Sequence, residues 1–90
     1  MATFARRVRD GRWRIAVRGE LRAADLRRLE RTCAPALERW PLPLDIAVDA
    51  LESVDEPARR FFMCLLRRGA ALVGRDREHW ETAIRQPAPR

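Results

Sequence analysis

Leu44-Asp45-Ile46-Ala47-Val48-Asp49-Ala50-Leu51-Glu52-Ser53-Val54-Asp55-Glu56-Pro57 is the stretch on which the fold turns. Leu44, Ile46 and Val48 alternate with Asp45, Ala47 and Asp49, the period-two pattern of a strand buried on one face. Asp49 closes that strand. Asp55-Glu56-Pro57 then opens a helix, because a carboxylate can accept from the free N–H groups of a first turn, where proline costs no hydrogen bond. The apolar face of this helix is Ala58, Phe61, Phe62, Leu65 and Leu66, and its outward face is Arg59, Arg60, Met63 and Arg67. Arg67-Arg68-Gly69 supplies cations and a left-handed cap at its end.

Working outward, residues 71–73 predict a short strand and residues 76–85 a last helix with Trp80, Ala83 and Ile84 inward. Residues 86–90, Gln-Pro-Ala-Pro-Arg, read as a frayed C-terminal tail, leaving residues 1–85 as one domain. Upstream, residues 23–40 place Leu26, Leu29, Cys33, Leu37 and Trp40 on one helical stripe. Pro35 inside it predicts a bend or restart before Ala36, and Pro41 and Pro43 end it. Asp10-Gly11 suits a two-residue hairpin turn between strands over residues 3–9 and 12–18. Trp13, Ile15 and Val17 alternate with Arg12, Arg14, Ala16 and Arg18, so only one sheet face is covered. The expected class is α/β, with the order β-β-α-β-α-β-α, a mixed four-stranded sheet and helices packed on one face.

Ninety residues suit one domain that buries roughly two thirds of its unfolded surface. No apolar run approaches the roughly 20 residues that cross a bilayer, so no membrane insertion is expected. The start, Met1-Ala-Thr-Phe-Ala-Arg-Arg, lacks the apolar core of a secretory signal, and the expected compartment is the cytoplasm. All 19 basic residues are Arg, giving a net charge of +6, a balance that clustered phosphate contacts would exploit. The 13 acids are interleaved among them, which favours a solvated charged surface over a nucleic-acid partner.

The chemical inventory is thin. His79 is the sole histidine and falls in the first turn of a surface helix, far from any nucleophile. Cys33 and Cys64 lack the spacing of a zinc site and are expected as small buried apolar groups. The four glycines form no phosphate-cradling loop, and no cofactor is expected. Asp55 and Glu56 are adjacent helix-capping carboxylates, whereas acid/base pairs face each other across a substrate. Trp13 lies between arginines, as base-stacking residues do, but its parity with Ile15 and Val17 turns it toward the core. A non-enzymatic chain is the expectation.

One ordered set of residues carries a resemblance: Gly19-Glu20-Leu21, a long helix, a strand ending at Asp49, Leu51, Val54-Asp55 before a helix, then Arg68-Gly69-Ala70. Together they resemble the STAS domain of bacterial anti-sigma factor antagonists, over residues 12–85. The resemblance implies a protein-interaction module in bacterial regulation, whose partner is an anti-sigma factor that also serves as kinase. It agrees with a partner-binding surface at Val54, Asp55, Glu56 and Pro57, and an outward Met63 amid arginines extends that surface to the helix face of Arg59, Arg60 and Met63. The family's phosphoacceptor Ser or Thr follows the Asp, and here that position is Glu56. A phosphoserine would add about −1.5 to −2 charges reversibly, whereas Glu56 is fixed; Ser53, upstream of the helix, is a weak substitute. Glu56 as an imitation of the phosphorylated state is one outcome. An alternative is a regulatory subunit of a lipid-transporting ABC complex, partnered by its ATPase. Another is nucleic-acid binding through Arg7, Arg14 and Arg18 on the open sheet face. Self-association and recognition of a small ligand or lipid stay open.

Overall fold

Asp10 and Gly11 take φ angles of 53° and 76°, the paired positive values of a hairpin turn whose twist matches its strands. The first strand, β1 (Thr3–Arg9), therefore folds back on β2 (Arg12–Leu21) with Arg9 opposite Arg12, Arg7 opposite Arg14 and Ala5 opposite Ala16. In the computed structural model, which describes residues 1–86, the order continues α1 (Leu26–Leu37), β3 (Leu44–Ala47), β4 (Leu51–Val54), α2 (Glu56–Arg67), β5 (Ala71–Val73) and α3 (Arg77–Arg85). Of the expected tail, Gln86 still donates to the Thr82 carbonyl, and residues 87–90 lie outside the described residues.

The mixed α/β class is as expected, and the sheet carries five strands, one more than the pattern indicated. Its main path runs β1-β2-β3-β5, antiparallel at β1 and parallel thereafter. The added strand β4 pairs in parallel with the last residues of β2, from Gly19↔Leu51 to Leu21↔Val54. It takes up pairing that β3 leaves at Ala16↔Ala47. Gly19 makes this possible: at φ 90° it shifts the register, its N–H bonds the Ala50 carbonyl at 2.9 Å, and a side chain there would press on the Met1 backbone.

One sheet face meets the helices. Ile15, Val17, Leu44, Ile46 and Leu72 pack there against Leu29 and Cys33 of α1, Phe62 and Leu65 of α2, and Trp80 and Ile84 of α3. A short 3-10 turn, Ala23–Asp25, precedes α1, whose Arg28 reaches back to the Ala2 carbonyl and stacks over Phe4. No helix among the described residues is long and apolar enough to cross a membrane.

Three local expectations are corrected. The first long helix ends at Leu37, so Trp40 is not on its stripe and is 73% exposed, while Leu42 beyond it is buried. Helix α1 carries through Pro35 for two more residues instead of restarting at Ala36, since a proline this near the end sacrifices one hydrogen bond in a turn that is already closing. Cys33 is buried, but Cys64 is exposed on α2. Its stripe lies one residue off the apolar row formed by Ala58, Phe62 and Leu65.

Candidate functional site

Strand β4 delivers Val54 to the edge of the helix layer, and Asp55 fixes the turn into α2. Its N–H donates to the Leu21 carbonyl at 3.2 Å. Its side chain has two duties: Oδ1 accepts from the Ala58 N–H at 3.0 Å, capping α2, and Oδ2 accepts from the Ala23 N–H at 2.8 Å. The second bond ties the start of α2 to the turn before α1 across 32 positions. Pro57 sits in the first turn, where it costs nothing.

Glu56 points back along its own helix. Arg59 forks onto it, Nε to Oε2 at 2.9 Å and Nη2 to Oε1 at 2.7 Å, and Arg60 Nε reaches Oε1 at 3.4 Å. The hydrogen bonds from Arg59 are the main cause holding the Glu56 carboxyl at about 2, below its usual 4.5, against the opposing effect of partial burial, with charge attraction and Arg60 adding to it. Arg59 also donates from Nη1 to the Ile84 carbonyl at 2.6 Å, pinning α2 to α3, and its side chain is only 16% exposed. Arg60, 72% exposed, is the freer of the two.

Met63 is half-buried against the core and forms part of a groove of about 410 Å³ with Arg59, Arg60, Cys64, Arg67 and Arg85. The structure thus joins Arg59, Arg60 and Met63 in one surface continuous with the capped turn. Cys64, Arg67 and Arg85 complete it. Arg60, Cys64 and Arg67 follow the i, i+4, i+7 spacing of one helical row, a signal masked because a thiol counts as apolar. Arg85 comes from α3 and is tethered to Glu81 at 3.3 Å. Ser53 lies elsewhere: it is half-buried on β4, with its hydroxyl 3.5 Å from Glu20 Oε1.

Nothing in this surface pairs a nucleophile with a base. His79 is exposed on α3, edge-on to Trp80 at 5.6 Å. Burial pushes the Cys33 thiol up to about 11, which keeps it protonated and inert. Among the described residues no three His, Cys, Asp or Glu side chains gather as metal ligands would. The arrangement is a hydrogen-bonded helix start beside an arginine-lined groove.

Neither a family model nor a curated protein matches the sequence. Among solved structures, the chain is similar to an uncharacterized protein of the DUF3478 family with a SpoIIAA-like fold from Shewanella loihica PV-4. The two align with a TM-score of 0.59 and 16% identity, over 92% of this chain and 75% of that one. The fold is SpoIIAA-like, the STAS fold to which the ordered residues from Gly19 to Ala70 pointed.

Proposed function

We propose that this chain is a non-enzymatic regulatory module of the STAS type, which binds a partner protein through residues 54–57 and the neighbouring groove along α2. The observation that carries this reading is the groove of about 410 Å³ itself, a half-buried Met63 set among Arg60, Cys64 and Arg67 beside a firmly capped turn. An adaptable apolar side chain ringed by guanidinium groups suits a protein interface, where Met and Arg are enriched.

Docking here is constitutive. Position 56 offers no hydroxyl, and its carboxylate is held by Arg59 and Arg60, so it neither accepts phosphate nor projects a free charge in imitation of one. That pairing favours a standing partner, such as the ATPase subunit of a transport complex, over a switching kinase.

Affinity recovery from the host, followed by mass spectrometry, tests the surface. Arg60→Glu should abolish recovery of the partner that the wild type retains, while Arg27→Glu on the outer face of α1 should leave it unchanged. Met63→Asp should act in the same direction, with Arg60→Glu as the variant that spares the core. Equal recovery by all would refute the site. Incubation with a cognate kinase should add no phosphate; phosphate on Ser53 would contradict constitutive docking. A partner carrying the Walker motifs of a transport ATPase supports the transport reading, and a serine kinase or sigma-factor regulator supports the antagonist reading.

A further inference from the structure

A second surface, independent of the α2 groove, lies at the free edge of the sheet. The seven residues of β1 pair only with β2. Among the described residues no strand or loop hydrogen-bonds to the outer side of their backbone. The opposite edge, β5, is only three residues long. An unpaired strand of this length is a template for another strand unless its side chains forbid it.

Those side chains make a selection. Arg7 and Arg9 stand two apart on the open face, each directly across from another arginine, Arg14 and Arg12. Like charges directly opposite are unfavourable in a sheet, and Asp45 is the single strand carboxylate nearby, bound to Arg12 at 2.6 Å and 4.0 Å from Arg14. Among the described residues no carboxylate pairs with Arg7 or Arg9. The fold does not need these charges, and the edge they line repels a second copy of itself, since β1 against β1 would set arginine beside arginine. Nor does the open face offer bases a stacking platform: Phe4 and Trp13 face the helices, and Ala5, Ala16 and Ala47 occupy the floor.

We infer that the free edge of β1 accepts an extended acidic segment of a partner protein, paired as a sixth strand with carboxylates two residues apart beside Arg7 and Arg9. The backbone edge would supply the hydrogen bonds, and the alternate-residue arginines would supply register and selectivity. Side chains two apart on a strand are about 7 Å from one another on both partners, so successive Asp or Glu residues meet successive arginines.

The probe is a synthetic eight-residue peptide alternating Val and Asp, titrated into the full chain while amide chemical shifts and fluorescence anisotropy are followed. Shifts should concentrate in β1. The double variant Arg7→Glu with Arg9→Glu should weaken binding about tenfold or more, as charge reversal at close range does, and the same variant should bind a Val-Lys peptide that the wild type rejects. Arg60→Glu should have no effect, which separates this edge from the α2 groove. Unchanged binding by the double variant, or shifts confined to α2 and α3, would overturn the inference. So would tighter binding of a single-stranded oligonucleotide or of phosphatidylglycerol vesicles than of the peptide at about 0.15 M salt.

Discussion

The start of α2 and the β1–β2 hairpin are both arginine-rich, yet their arginines live under opposite conditions. At the helix, Glu56 lies three and four residues before Arg59 and Arg60, so the winding of the chain brings acid and base together and the charges are consumed locally. At the hairpin, a two-residue turn at Asp10-Gly11 sets Arg7 opposite Arg14 and Arg9 opposite Arg12, so the geometry brings like charges together. The count of arginines therefore says little about which surface can take a charged partner. What decides is the carboxylate within one helical turn, or its absence beside Arg7 and Arg9 on β1, since Asp45 reaches only Arg12 and Arg14.

The largest effect is expected where pairing is most complete. Asp55→Ala removes the cap on α2 and the bond to the Ala23 N–H together, and should cost about 2 kcal/mol, read as a lower denaturant midpoint with unchanged slope. A loss near zero would mean that the two hydrogen bonds of Asp55 are replaced by water. On the hairpin side, Asp45→Asn withdraws the one counter-ion from Arg12 and Arg14 and should cost about 1 kcal/mol. An equal loss in both variants would erase the contrast. Glu56 supplies a pH-dependent effect. Its folded pKa of about 2 lies below the ordinary 4.5, so the unfolded chain takes up the proton first as pH falls. Its stabilising contribution is complete above about pH 4.5 and disappears toward pH 2, and the wild type should lose stability more steeply than Glu56→Gln across that window. Parallel acid titrations of the two would show that the fork from Arg59 contributes nothing.

Local signals were the legible ones. The cap at Asp55, the Asp10-Gly11 turn and the strand alternation from Leu44 each need only neighbours a few residues away, and each is found in the structure. The arginine pairs were within reach too, since a two-residue turn sets the register of everything it joins. What escaped depends on distant partners. Residues 51–54 show no alternation and become a strand only because Gly19, Glu20 and Leu21 present an edge to them. The bond from Ala23 to Asp55 spans 32 positions, and Arg85 joins the groove from another helix. Trp40 matched the helical stripe by spacing alone, but spacing has no meaning once the helix has ended at Leu37.

The smallest predicted effect bears most directly on the comparison, because its sign should differ between the two regions. Arg7→Thr replaces one member of a like-charged cross-strand pair with a β-branched residue that suits a half-exposed strand. Stability should rise by about 0.3 kcal/mol at low salt. Arg60→Thr removes a guanidinium from the neighbourhood of Glu56 and should lower stability under the same conditions. The charge-dependent part of each difference should fade at about 1 M salt, where the screening length falls to about 3 Å, leaving only the salt-independent preference of Thr for a strand over a helix. Denaturant midpoints of the two variants at both salt concentrations check this. Differences that do not shrink between low and high salt would mean that the side chains, and not their charges, set them, and the free edge of β1 would then lose its claim to be waiting for an acidic strand.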